Sequence, residues 1–477
     1  MALTIWRSRQ VRAVAAFALA SAIVAACGGS AKTPRPNPSG STAIASPATG
    51  SPFPTSSPIA DSPVGRRLTW VLDEMNGRAS TLTAADVAGQ FDPTFLAQVP
   101  ATQLIPTLQQ TTLGAPYTVR DYTPIGDGNS AQARFEATLA TFKVSITVSA
   151  AEPNLIVGLL LQATSSATPT ATWDQIDSAL TGLAPEHSLY AGEIAATGCQ
   201  PVHTLDASQP HAIGSAFKLY VLGELGREIG AGTASWTEQY AIRDEWKSLP
   251  SGKMQNDAAG TQHTLLDYAQ QMISISDNTA ADHLIHRLGR ENVEANLPAM
   301  GMADPARNIP FLYTRDMFVL KATKNAALQQ RYLAADAAGR RALLDSEVAA
   351  SKLSLFDVVD WSSPRAIDTL EWFASTADLC SAMAYLHGLA AKPGLSQIQD
   401  ILTINPAMNV DGSVWTYVGY KGGSEPGVLQ LTWLLRRADN RWFVVSVTLD
   451  DPTSAADNTL AALCLGADAM SLLGVAK

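Results

Sequence analysis

A chain of 477 residues, 46% hydrophobic and 16% charged, carries enough apolar side chain for two buried cores and lacks the composition of a disordered protein. Its formal charge is −10 and no basic run interrupts that balance, which argues against nucleic acid as a partner.

The first 26 residues depart from this composition. Arg7, Arg9 and Arg12 form a positive region without an acid, and Ala13 to Ala26 is apolar but short for a bilayer span. The run ends in Val24-Ala25-Ala26-Cys27, which resembles a bacterial lipoprotein lipobox. That resemblance implies export, cleavage before Cys27, lipidation of its thiol and anchoring on the extracytoplasmic face of the membrane. Ordinary cleavage, with Cys27 incidental, is the alternative. Removal of the leader takes the charge to about −13. Residues 27–62 are rich in Ser, Pro, Thr, Ala and Gly, cannot bury enough apolar surface to offset their ordering entropy, and read as a flexible tether.

Residues 63–165 form a first α+β unit. Val64 to Met75 has helical apolar spacing, Thr83 is a candidate N-cap with Asp86 three residues on, and Pro100 to Gln110 adds a third helix. Strand patterns follow at Tyr117–Tyr122, Ala131–Leu139, Phe142–Ser149 and Leu155–Leu161, with turns at Gly126-Asp127-Gly128-Asn129 and Glu152-Pro153-Asn154. Helices followed by antiparallel strands resemble the nuclear-transport-factor (NTF2) or ketosteroid-isomerase fold. No acid/base pair stands out in this unit, so a docking or substrate-shaping role is the preferred reading.

After a short linker at 165–172, residues 173–477 form the second unit. Trp173 to Leu183 reads as a helix, and Ser188–Ile194 and Val202–Leu205 as hairpin strands around Thr197-Gly198. A helical region covers about 215–400. Strands return at Val414–Lys421, Val428–Arg437 and Trp442–Leu449, and Ala455–Leu473 closes the chain as a helix. Strands at both ends with helices between imply an antiparallel sheet with an inserted helical domain and a site in the cleft between them.

Besides Cys27, the cysteines are Cys199, Cys380 and Cys464. Three cannot all pair internally, so buried free thiols are expected, with one disulfide as the alternative in an oxidising compartment. No Cys/His cluster has metal-ligand spacing. His283 and His286 lack a third ligand and are read as a solvated helix face, so neither metal nor cofactor is expected.

Three motifs carry chemistry. Ser215-Ala216-Phe217-Lys218 opens an amphipathic helix bearing Leu219, Leu222 and Leu225, and its spacing sets the hydroxyl and the amine on one face. A desolvated lysine can accept the serine proton, and the helix N-terminus adds positive potential. With eleven lysines present, about one S-x-x-K match is expected by chance, so alone the motif is weak. Ser276-Asp277-Asn278 joins two helical runs, where Asp277 or Asn278 could merely cap the second. Lys421-Gly422-Gly423-Ser424 ends a strand before the Glu425-Pro426-Gly427 turn. There a lysine can hold a carboxylate, bare backbone can approach closely, and an N–H can join that of Ser215 as an oxyanion hole. A hairpin bulge with an exposed lysine is the plain alternative.

Together and in this order, the three resemble the S-x-x-K, S-D-N and K-T-G set of class A β-lactamases and penicillin-binding proteins. The resemblance covers about 185–477. It implies an acylated Ser215, Lys218 as its proton acceptor, Ser276 as a relay hydroxyl, Asn278 as the substrate-amide contact, Asp277 as a loop holder, and Lys421 in carboxylate recognition. The whole arrangement resembles actinobacterial β-lactamase-related lipoproteins and the clavulanate-cluster protein family.

The chain departs from that pattern at Gly422, where threonine or serine is usual, and Ser424 is the candidate substitute. The stretch between Ser276 and Lys421 is longer than usual for class A enzymes, with the excess between about Lys321 and Leu370, where Asn325–Ala350 reads as an added helical lid and no Glu-x-x-x-Asn deacylation motif occurs. Glu371, just before Ser375-Thr376, and Asp316 are the nearest acids. The expected function is a serine hydrolase forming an acyl-enzyme on an amide, an ester or a β-lactam, with slow deacylation. The rivals are a binding protein for a cell-wall peptide or β-lactam-like ligand without turnover, and an esterase or D,D-peptidase.

Overall fold

The structure is a computed structural model and describes residues 58–358 and 361–476. The leader, Cys27 and nearly all of the tether lie outside the described residues. The chain divides into two compact units between Ala163 and Thr164.

In the first unit, α1 (Pro63–Met75) is capped by Ser62 and buries Val64, Leu68, Val71 and Met75. Then come α2 (Ala84–Gln90), α3 (Pro93–Gln98) and α4 (Ala101–Thr111). Thr83 and Asp86 form a reciprocal capping box at α2, satisfying two otherwise orphaned N–H groups. The short α3, which Asp92 caps, has too few residues for a sequence period to show. Strands β1 (Thr118–Ile125), β2 (Ser130–Glu136), β3 (Thr141–Val148) and β4 (Ile156–Ala163) form an antiparallel sheet in sequence order. Alternate residues of β2 and β3, Phe135, Phe142, Val144 and Ile146 among them, are buried, as expected of a sheet with one covered face.

The second unit opens with α5 (Trp173–Leu183) and the hairpin β5 (Glu186–Ala195) and β6 (Gly198–Leu205). The short strand β7 (His211–Ala212) leads into a 3-10 turn, Gly214–Phe217, and helix α6 (Lys218–Gly230). The small ribbon β8 (Gln239–Ala241) and β9 (Gln262–Thr264) precedes α7 (Leu265–Ser274), α8 (Asn278–Leu288) and α9 (Arg290–Asn296). Next are α10 (Thr314–Lys321), α11 (Ala326–Ala334) and α12 (Ala337–Leu343), then β10 (Phe373–Ala374), α13 (Thr376–Ala390) and α14 (Gln397–Thr403). The chain closes with β11 (Trp415–Glu425), β12 (Val428–Arg437), β13 (Trp442–Asp450) and α15 (Thr459–Val475).

The five-stranded sheet has the order β11-β12-β13-β5-β6, all neighbours antiparallel. The first hairpin thus joins the last three strands by pairing β5 with β13, and the helices from α6 to α14 are inserted between. This is a mixed α/β architecture, an antiparallel sheet with a helical domain inserted between its strands. Its core surrounds α6, where Leu219, Leu222 and Leu225 are fully buried at roughly 1.5–3 kcal/mol each. The region read as a lid is helical and packs on α9, where Arg341 pairs with Glu291 at 2.7 Å and also reaches Glu294.

Two expectations are overturned. Cys199 of β6 and Cys380 of α13 form a disulfide across 181 residues, and only Cys464 of these three is a buried free thiol. Their sequence contexts hid the proximity, because β6 and α13 meet only in the tertiary packing. The α8 histidines are not a solvated face either. His283 is fully buried and accepts the Arg243 N–H at 2.9 Å, while His286 is sandwiched between Trp246 and Tyr313 at 4.3 and 4.1 Å.

Candidate active site

Three segments converge beside the start of α6. Gly214 has φ of +44°, and a side chain at Gly423 of β11 would collide with the Ile213 carbonyl at 2.0 Å and the Ser215 nitrogen at 2.5 Å. Only glycine lets the strand press against the nucleophile turn. That contact brings the backbone nitrogen of Ser424 against Gly214, next to the Ser215 turn.

Lys218 is completely buried. Its Nζ lies 3.0 Å from Ser215 Oγ, 2.7 Å from the Ser276 carbonyl, 3.0 Å from Ser276 Oγ and 2.7 Å from Asn278 Oδ1. Ser276 has φ of +57°, a left-handed backbone that costs strain in a non-glycine residue and turns both its carbonyl and its hydroxyl toward Lys218. The two shortest contacts go to oxygens that can only accept. A neutral amine satisfies both with its two N–H bonds and keeps its lone pair for a hydroxyl proton; an ammonium has no lone pair. Burial brings the Lys218 pKa down to about 7, against the opposing charges of Asp277 and Asp282. The group can therefore be an amine near neutral pH, as a base for Ser215 must be.

Lys421 reaches the same hydroxyl from the other side, with Nζ 3.0 Å from Ser276 Oγ and a further hydrogen bond to the Gly422 carbonyl. Burial, and then the charge of Lys218, holds it well below the ordinary lysine range. Ser276 Oγ thus stands between two amines and can accept a proton from one side while donating to the other.

Asp277 is the N-cap of α8, accepting from Ala280 N at 2.9 Å. It also accepts from Lys253 N at 2.6 Å and Met254 N at 2.9 Å, tying the 251–254 loop to the site. Asn278 also positions the lysine. Its Oδ1 holds Lys218 and its Nδ2 donates one N–H to the Leu249 carbonyl at 3.0 Å, and it lines the small cavity beside Ser215.

The departure at Gly422 has a steric cause. A side chain there would meet the Tyr420 hydroxyl at 2.0 Å, because residues two apart on a strand share a face. Tyr420 takes the space that a threonine hydroxyl would occupy, and it lines the cleft with Ser215, Ser276 and Lys421. Sequence reading passed over Tyr420; its i−2 relation to the glycine was the available signal. Ser424, the earlier candidate, is exposed and lines the same cleft, whose volume is about 380 Å³, a size that suits a small-molecule ligand.

A second, small cavity of about 30 Å³ touches Ser215 and is lined by Glu371, Trp372 and Glu425. Glu371 and Glu425 are buried against Lys321, with Nζ 2.9 Å from Glu371 Oε1 and 2.5 Å from Glu425 Oε1. Glu371 Oε2 accepts from Trp372 N at 3.1 Å, whereas Glu425 Oε2 is buried without a hydrogen-bond partner. Burial, and then the charge of Glu371, pushes the Glu425 carboxyl well above the usual range. Lys321 and Glu425 escaped sequence reading because 104 residues separate them. Asp316 is occupied elsewhere, bonded to Arg290 at 2.8 Å and to Tyr313 N at 3.1 Å.

Fold and site together place a serine hydroxyl beside a buried lysine amine in a cleft at the edge of the sheet. Residues 175–347 match the family model described as the β-lactamase enzyme family. Residues 59–153 match the model described as the ORF 12 gene product N-terminal region. Among solved structures, the chain is similar to a β-lactamase from Sphaerobacter thermophilus, at 18% identity and a TM-score of 0.44 over 64% of this chain and 99% of that one. It is similar to a β-lactamase from Desulfarculus baarsii at 16% identity and a TM-score of 0.44, over 63% of this chain and 96% of the other. It is also similar to PBP-A in its acyl-enzyme complex with penicillin G, at 14% identity and a TM-score of 0.42, over 63% and 95%. No curated protein matches the sequence.

Proposed function

We propose that the protein is a serine hydrolase in which Ser215 takes an acyl group from an amide or ester, β-lactams included, and releases it slowly. The observation that carries this reading is the buried Lys218 amine, 3.0 Å from Ser215 Oγ and bonded to two acceptor-only oxygens. Lys218 takes the Ser215 proton as Oγ attacks the carbonyl carbon. The N–H groups of Ser215 and Ser424 receive the developing oxyanion. Ser276, between Lys218 and Lys421, passes the proton on to the leaving nitrogen or oxygen. Lys421 and the Tyr420 hydroxyl offer donors to a substrate carboxylate.

Slow release is supported by the small cavity. Deacylation needs a base for water, yet Glu371 has both oxygens engaged and the raised pKa of Glu425 disfavours its carboxylate form. The test is intact-protein mass spectrometry after exposure to a penicillin and to a short acyl ester. One adduct that disappears in Ser215→Ala is expected. An adduct that survives that substitution, or none with either reagent, overturns the reading and, in the second case, favours binding without turnover.

We further propose that the chain is a lipoprotein on the outer face of the cell membrane, because Val24-Ala25-Ala26-Cys27 precedes a Ser/Pro tether. Cys27→Ser should move the protein from the membrane fraction to the soluble one. Wild-type protein that is wholly soluble with an unmodified N-terminus past Cys27 refutes this.

A further inference from the structure

On the second unit, two acids outside the three motifs face each other at the end of the sheet. Glu186, the first residue of β5, and Asp450, the last of β13, are direct cross-strand partners. Side chains so paired point to the same face, and like charges there destabilise a sheet. His211 of β7 joins them, with Nδ1 3.6 Å from Glu186 Oε2. One ligand atom from each of the three lies within 4.8 Å of the other two.

The hydrogen bonding around this cluster is incomplete. Asp450 is 1% exposed and its Oδ1 has no hydrogen-bond partner; His211 Nε2 is buried and equally unpartnered. A buried polar atom left unmatched costs about 1–3 kcal/mol and calls for an occupant. Arg307, a neighbouring cation, donates to the carbonyls of Pro210 and Asp368 at 3.3 and 3.0 Å.

We propose that Glu186, His211 and Asp450 bind one divalent transition-metal cation of the zinc class. A neutral imidazole with two carboxylates suits zinc, whereas calcium and magnesium favour all-oxygen sets. Zinc–ligand bonds of about 2.0–2.2 Å bring ligand atoms closer together than this cluster now holds them. The Glu186 side chain is 46% exposed, so it can swing inward at little cost, and it opens the site to solvent. Three protein ligands leave a fourth position for water. The cation would tie the ends of β5 and β13 to β7, the strand that ends just before the Ser215 turn, and so brace the nucleophile without touching substrate.

The inference is independent of the Ser215 reading. Its test uses the purified full chain, stripped with a chelator and dialysed against zinc sulfate, with zinc measured by elemental analysis and unfolding followed by heat. One zinc per chain and a rise in Tm with zinc concentration are expected. Glu186→Gln and His211→Ala should each weaken zinc binding by about tenfold or more. Glu186→Gln, at a half-exposed position, guards against a folding failure of the histidine variant. Zinc uptake below one per chain, or uptake unchanged in both variants, overturns the proposal.

Discussion

Acylation of Ser215 should follow the deprotonation of Lys218. The lysine is fully buried and its pKa falls from 10.5 to about 7. Only the amine can take the serine proton. About half the molecules are active at pH 7, about a tenth at pH 6, and the rate falls about tenfold for each further unit below. Above pH about 8 it should level off. The assay is the pseudo-first-order rate of labelling by a fluorophosphonate, followed by mass spectrometry from pH 5.5 to 9. Lys218→Met keeps the volume and removes the base, so labelling should drop by roughly two to four orders of magnitude. Lys218→Arg should do no better, since a guanidinium stays protonated. Stability supplies an independent reading. The folded pKa lies below the unfolded one, so between about 7 and 10.5 the unfolded chain binds the extra proton. Wild-type stability should therefore rise with pH across that window relative to Lys218→Met. A labelling rate that is flat from pH 5.5 to 9, or undiminished in Lys218→Met, refutes the argument.

Three further outcomes are expected. Glu425 must lose its proton before it can activate water, and its pKa is raised, so release of the acyl group should speed up as pH increases. Glu425→Gln should abolish that rise, and Glu371→Gln, which removes the charge holding the proton on Glu425, should alter it; acyl-enzyme decay by mass spectrometry is the measurement, and pH-independent decay in wild type contradicts the assignment. Gly423→Ala should suppress labelling of Ser215 at least as strongly as it lowers Tm, because its methyl would meet the Ile213 carbonyl at 2.0 Å. Reduction of Cys199–Cys380, or its replacement by serines, should cost about 2–5 kcal/mol by freeing a loop of 181 residues, read as a lower urea midpoint; an unchanged midpoint on reduction means that the bridge does not form in solution.

Local order determined much of this protein from the sequence alone. The helix caps at Thr83 and before α8, the strand alternation of β2 and β3, and the i, i+3 placement of Ser215 and Lys218 are written in neighbouring residues, so periodicity and cap chemistry expose them. The three motifs could be linked because their order and spacing resemble a known family, while their convergence on one hydroxyl depends on the fold. Packing alone decided the rest. It brought Lys321, Glu371 and Glu425 together from three elements, paired Cys199 with Cys380, and set Asn278 between Lys218 and the Leu249 carbonyl. It also let Tyr420 fill the space above Gly422. Each of these depends on distances between residues far apart in the chain. The buried lysine's low pKa is of the same kind, since desolvation is a property of the packed interior and no single residue carries it.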